Sequence, residues 1–298
     1  MMAIRRWVTA QYDLSGHSAR LYKSGRAVAN TVLRYAGLTL LLFVLYHVLT
    51  NGDNIVSDHV ALNRFAPVMW VWGFVLLHFI FLGYRLARGT LHMIHLVMGD
   101  TPDIPLSVYV TELRTFVLHF VTQKRWRDCG EDHQKRHWLN HVLLVSGYVT
   151  MLILVVGLLW WFQTDEIYSI YHPQRWLGYY ATVVLIYGAS VALIGRVRKD
   201  EQLYRFSHHT DWLFPAFILV GAITGILVHI FRYAGWVWPT YGIYIIHVMA
   251  MVAMLDTEVG IGKWAHLIYR PLALYLEQVK AKAAERHLSP GLVSAGTD

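Results

Sequence analysis

The sequence predicts an all-α integral membrane protein, a bundle of six transmembrane helices with both termini cytoplasmic. Three observations lead there. Hydrophobic residues make up 56% of the 298-residue chain and charged residues only 15%, too apolar a balance for an ordinary soluble domain. Six runs, 31–50, 66–86, 138–162, 176–194, 212–230 and 236–255, come close to or exceed the roughly 20 apolar residues that a helix needs to cross a bilayer. Lys and Arg sit unevenly between those runs: 21 of the 26 fall before the first, between the second and third, between the fourth and fifth, or after the sixth. Positive loops resist translocation, so those segments are expected in the cytoplasm.

Taken in order, residues 1–30 read as a cytoplasmic arm with amphipathic character, and 31–97 carry the first two spans. No short apolar stretch near Met1 resembles a cleavable signal, so the first span is expected to direct insertion into a prokaryotic inner membrane. Residues 98–136 form the main cytoplasmic insertion, broken by Pro102 and Pro105. Within it, 106–123 has apolar residues at helical spacing and reads as a surface helix against the membrane or a partner. Residues 137–262 hold a four-helix core. Residues 263–298 continue as an amphipathic helix interrupted at Pro271 and end in a tail over 288–298.

Charge and cysteine usage remove several functions. The net charge of +7 is accounted for by positive loops, which leaves no case for nucleic-acid binding. Cys129 is the single cysteine, so the chain holds neither an internal disulfide nor a cysteine-ligated iron–sulfur cluster. Any such cluster belongs to a partner. Hydrolase and phosphate-loop motifs are absent from the sequence.

The 17 histidines are the informative residues, because an ionisable group inside a span is costly and marks function by default. A neutral imidazole bonded to a carbonyl or a Tyr hydroxyl is the ordinary alternative for any one of them. A set matched in depth says more. His247 and His266 are separated by 19 residues, about 28 Å along a continuous helix. They cannot share one iron, yet could serve one near each membrane face. His141 lies three residues into its span and His229 lies 17 residues into its own, about 26 Å deep. His141 therefore matches His266, and His229 matches His247, which is the two-by-two pattern that bis-histidine ligation of two b haems requires. Gly225, one turn before His229, is expected to let a planar macrocycle approach the backbone, and Arg232 to pair a propionate. Lys263, Arg270 and Arg136 are candidates for that task at the inner site, beside their role as positive-inside anchors. His47 and His78, on the first two spans, fit a quinone pocket or plain packing better than ligation.

The stretch Arg127-Asp-Cys-Gly130 leading into Arg136-His-Trp-Leu-Asn-His141 with Gly147, then Thr224-Gly-Ile-Leu-Val-His-Ile-Phe-Arg232, then His247 and Lys263-Trp-Ala-His-Leu-Ile-Tyr-Arg-Pro271, resembles the family of respiratory nitrate reductase gamma subunits and the E-type membrane subunits of heterodisulfide reductase, with the cytochrome b subunits of sulfite- and sulfate-respiration complexes. It covers residues 123–278. The resemblance implies a membrane subunit with two b-type haems, which exchanges electrons between a quinone and a cytoplasmic iron–sulfur subunit of a quinone-linked oxidoreductase complex. One departure stands out: the nitrate reductase branch carries a second ligand histidine ten residues after the first, where this chain has Met151. That favours the branch in which His229 supplies the fourth ligand.

Two other readings stay open, a haem-free anchor or transporter whose histidines pack helices or relay protons, and a gamma-type cytochrome b subunit of a hydrogenase or formate dehydrogenase. For the quinone, chemistry that moves two protons with two electrons calls for titratable groups at the edge of an apolar pocket. His172, Tyr168 and Arg232, with His47, are expected to form that site on the outer side.

Overall fold

The apolar runs fold as helices, and a computed structural model describes residues 2–99, 104–122, 132–199, 202–259 and 262–288, among which no strand occurs. The arm forms α1 (Met2–Tyr12) and α2 (His17–Lys23). Then follow α3 (Gly25–Leu49), the single turn α4 (Leu62–Phe65), α5 (Val68–Met98) and α6 (Leu106–Thr122). Helix α7 (Asp132–Leu152) passes through a π turn (Ile153–Gly157) into the short α8 (Leu159–Phe162). Next come α9 (Pro173–Arg198), α10 (Gln202–Arg205), α11 (His209–Tyr233) and α12 (Val237–Glu258). A 3₁₀ turn (Lys263–Ala265) leads into α13 (His266–Leu288). The predicted tail over 289–298 and the motif residues 127–130, with Cys129, lie outside the described residues.

Six helices, α3, α5, α7 with its π turn, α9, α11 and α12, are long and apolar enough to cross a membrane. An even number puts both termini on one side, called here the terminal face. Only 6% of the apolar windows of α3 and α5 is buried, against 28% for α11 and α12. The first two spans therefore turn most of their surface outward, and the last two form the centre. Packing runs from α7 to α9 to α11 to α12 to α3, while α5 lies against the π turn and α8.

Glycines set how closely these helices meet. A Cβ on Gly188 of α9 would lie 2.4 Å from Leu144 Cγ of α7, one on Gly147 would lie 2.7 Å from Val184, and one on Gly221 would lie 2.3 Å from Met251 Cε of α12. Missing side chains here let backbones approach, as small residues commonly do between membrane helices.

Several expectations need correction. The third span is not one helix, because the chain widens to a π turn at 153–157. The Trp72 indole N–H of α5 donates to the Val156 carbonyl in that turn at 2.7 Å, so a backbone acceptor is satisfied by a neighbouring span. Pro271 does not interrupt the C-terminal helix: α13 runs through it, since the sixth position of a helix forfeits one carbonyl partner without ending the ladder. The α6 surface helix packs on α13, with Tyr275 donating to Tyr109 O at 2.9 Å and Lys282 paired with Glu112. The arm is not free either. Arg6 pairs with Asp211 at 3.1 Å, Tyr12 meets Tyr269 edge-on, and Leu21 and Val28 pack with Leu213.

Candidate functional site

Histidine capping positions the outer ends of the core. His172 is the N-cap of α9, its Nδ1 accepting from Gln174 N, with Pro173 following at the first helical position. At the terminal face His208 caps α11, and Asp211 closes the capping box by accepting from His208 N at 2.9 Å. His208, and His209, whose Nε2 meets Leu21 O at 3.1 Å, are used up in local structure, while the cap engages only Nδ1 of His172.

His247 is held from behind. Thr224 Oγ1 donates to Val220 O at 2.7 Å, so the same oxygen accepts from His247 Nδ1–H at 2.9 Å. That network assigns the proton to Nδ1 and leaves Nε2 as the lone-pair nitrogen. The space expected at Gly225 for a macrocycle is instead taken by this ring: a Cβ there would lie 3.4 Å from His247 Cε1. Gly225 and His229 are four residues apart and share a face of α11, so His247 lies beside that face, about one turn from His229.

His229 touches two tyrosines, Tyr179 and Tyr233. Its Nε2 is 2.9 Å from the Tyr179 hydroxyl of α9, and its ring is 4.4 Å from that of Tyr233. Tyr233 donates to Tyr168 O, and Tyr168 stacks on His172 at 4.4 Å. Tyr233 thus links His229 to Tyr168 and, through it, to His172.

Two arginines complete this end. Arg232 and Arg175 are each 5% exposed, and both charges act on the His229 ring. Arg232 Nη2 donates to Glu166 O at 2.8 Å, while its Nε and the Nε and Nη2 of Arg175 make no hydrogen bond. Arg175 is wedged between the rings of Phe162 and Tyr233, each centroid 5.9 Å from its guanidinium carbon. Among the described residues neither arginine forms a salt bridge. Buried cations with idle donors call for an anion, because an uncompensated buried charge is costly. Sequence reasoning named Arg232 and missed Arg175; its one signal was an arginine three residues past His172 at the mouth of a span.

His47 lies elsewhere. It packs on Phe65 at 4.6 Å and lines a cleft of about 420 Å³ with Leu40, Phe43, Val44, Val48 and Ile245. Ile245 and His247 are two residues apart, about 200° round α12, so His47 faces the opposite side of that helix from His247.

At the terminal face, Tyr148 lies seven residues after His141 on the same face of α7, and its ring packs on Trp264 at 4.8 Å. Trp264 also meets Phe214 of α11 at 5.9 Å. The face of α7 that carries His141 is therefore turned toward the segment that carries His266. The assumed continuous helix from His247 to His266 does not exist: α12 ends at Glu258 and α13 begins at His266, so a rise per residue cannot measure their separation. Arg270 is exposed, and the Lys263 side chain lies outside the described residues. A cation not foreseen at this end is Arg196, 8% exposed and set over Tyr204.

Among the described residues no group of three or more His, Cys, Asp and Glu could hold a metal ion. Bis-imidazole ligation of haem needs only two protein donors per iron, so that finding bears on bare metal sites alone. The chain matches no protein-family model, no curated protein and no solved structure.

Proposed function

We propose that this chain is a dihaem cytochrome b subunit that exchanges electrons between a membrane quinone and a cytoplasmic iron–sulfur partner. The observation that carries the reading is the pair of buried arginines, without a salt bridge among the described residues, beside two imidazoles, one of them pinned through Nδ1. Haem is a group that asks for both features at once, since its iron takes imidazole nitrogen and its propionates take guanidinium. On the outer side His229 and His247 would hold the iron, with Arg232 and Arg175 on the propionates. On the cytoplasmic side His141 and His266 would do so, with Arg196, Arg270 or Lys263 near the propionates. Each haem, when bound, supplies a one-electron carrier. The protein's own part is to fix the imidazole tautomer through Thr224, to exclude water with the packed spans and to balance the propionates.

Quinone is placed by this reading beside the outer haem, at Tyr168, His172 and Arg232. His47 lines a cleft on the opposite side of α12, so this reading leaves it out of that set. The iron–sulfur partner docks over the terminal face, where the arm, α6 and α13 form a folded layer. A haem-free anchor is the second reading, favoured by the Tyr179–His229 hydrogen bond, which satisfies His229 without iron.

Reduced-minus-oxidised spectra of the purified protein separate the two. Two b-type components are expected, with His229→Ala and His247→Ala removing one and His141→Ala and His266→Ala the other. A colourless preparation refutes the haem reading, and loss of different components within one pair refutes the pairing.

A further inference from the structure

Helices α5 and α12 run in the same direction, and their register is fixed at one point. Gln163 donates to Ala66 O at 2.8 Å and accepts from the Tyr244 hydroxyl at 3.2 Å, which sets the start of α5 level with residue 244. Twelve residues further along each helix come His78 and Asp256. They meet as that register requires: His78 Nε2 is 3.2 Å from Asp256 Oδ2. Arg85, two turns on in α5, places Nη1 at 3.9 Å from Oδ1. From α3, Tyr35 lies within hydrogen-bonding reach of Arg85, with Arg34 beside it.

Asp256 is 1% exposed, yet neither carboxylate oxygen makes a hydrogen bond. His78 comes within hydrogen-bonding distance but not at a hydrogen-bonding angle, and Arg85 at 3.9 Å stays beyond that distance. This carboxylate is therefore held electrostatically, with its acceptor capacity open, inside the bundle. Arg85 balances its charge, and Nε2 and Oδ2 leave a place between them for one further proton. Among the described residues Glu258 also lies near this end of α12, about 200° round the helix from Asp256, where it acts on Tyr22 of the arm.

We propose that His78 and Asp256 form a proton-binding site on the terminal-face half of the membrane, which takes up one proton as a unit. Imidazole exchanges protons near neutral pH, and intramembrane carboxylate–histidine contacts are suited to carrying them. The proton lies between Nε2 and Oδ2, so it belongs to the pair rather than to either residue alone. This site stands apart from the four candidate haem ligands and does not depend on haem being bound.

The test is infrared titration of the full-length protein in lipid nanodiscs, followed in the carboxyl and imidazole bands. The wild-type titration less that of His78→Gln, which keeps the Arg85–Asp256 pair, is expected to leave one proton-linked change in which a carboxyl and an imidazole band move together, and the difference from Asp256→Asn should show the imidazole midpoint displaced. A difference from His78→Gln without any titrating band would show a static ion pair and overturn the proposal. So would an unchanged titration in His78→Gln, or an imidazole midpoint unmoved in Asp256→Asn.

Discussion

Thr224→Val tests whether His247 is a ligand or a packing residue. Valine keeps the volume of threonine and removes one oxygen, the acceptor that holds His247 Nδ1–H at 2.9 Å. Hydrogen bonds between membrane helices contribute about 0.6 kcal/mol on average, with a maximum of about 1.7. If the pair only packs α11 on α12, the loss of stability lies in that range and nothing else changes. If His247 binds iron, the same oxygen fixes the tautomer and orientation of a metal ligand, and losing such a partner weakens metal affinity by about 10- to 100-fold. At about 1.4 kcal/mol per tenfold, that is about 1.4 to 2.8 kcal/mol, well above the average packing effect and reaching beyond its maximum. The assay is haem titration of the apoprotein beside thermal unfolding of the same preparation. The expected result is an outer-haem affinity at least tenfold weaker with a modest loss of stability. Haem binding equal to wild type, with stability lowered by about half a kcal/mol, would refute the assignment of His247 as a ligand.

Tyr179→Phe removes the hydroxyl bonded to His229 Nε2, so an iron no longer competes with it; a hydrogen bond worth about 0.5–1.5 kcal/mol predicts outer-haem affinity raised about two- to tenfold by the same titration. Gly188→Ala places a methyl 2.4 Å from Leu144 Cγ and should destabilise by about 1–3 kcal/mol, with Leu144→Ala in the same chain restoring part of the loss in thermal unfolding. In the arm, burial pushes the Asp13 carboxyl up, but hydrogen bonds from Ser15 and Ser18 more than offset it and hold the group below its ordinary range. Its contribution is therefore complete above the unfolded value of about 3.9 and is lost as pH falls through the folded one. Hydrogen exchange at the Ser15 and Ser18 amides should accelerate across that acid step in the wild type and lack the step in Asp13→Asn.

The spans were legible because lipid imposes a length and a composition that a linear sequence displays directly. Their ends were less so. The first span begins at Gly25 rather than residue 31 because Ser24 caps it, Oγ accepting from Ala27 N at 3.1 Å, and a cap depends on one hydroxyl, not on hydropathy. The π turn at 153–157 was invisible for a stronger reason: its free carbonyl is satisfied by Trp72, 84 residues away. Depth matching of the histidines assumed that every span starts at one level. Helix α5 breaks that assumption, since its first turn lies level with Tyr244 in the middle of α12, and its C-terminal part, Gly89 and Met93, packs on Tyr269 and Ala265 beyond the bundle.

The same displacement explains why the candidate site was half legible. His229, Arg232, Tyr168 and His172 lie on neighbouring segments at one end of the core, so reading along the chain gathers them. Arg175 and Asp256 could not be weighed in that way, because what distinguishes each is a partner that is missing or remote. An arginine at the mouth of a span reads as an anchor until its surroundings show two aromatic rings and, among the described residues, no salt bridge. An aspartate at the end of an apolar run reads as its boundary until α5, displaced along the bundle relative to α12, brings His78 against it. Burial without a matching partner is a property of the assembled bundle. In a membrane, where water cannot fill the deficit, such a residue is the stronger pointer to what the protein binds.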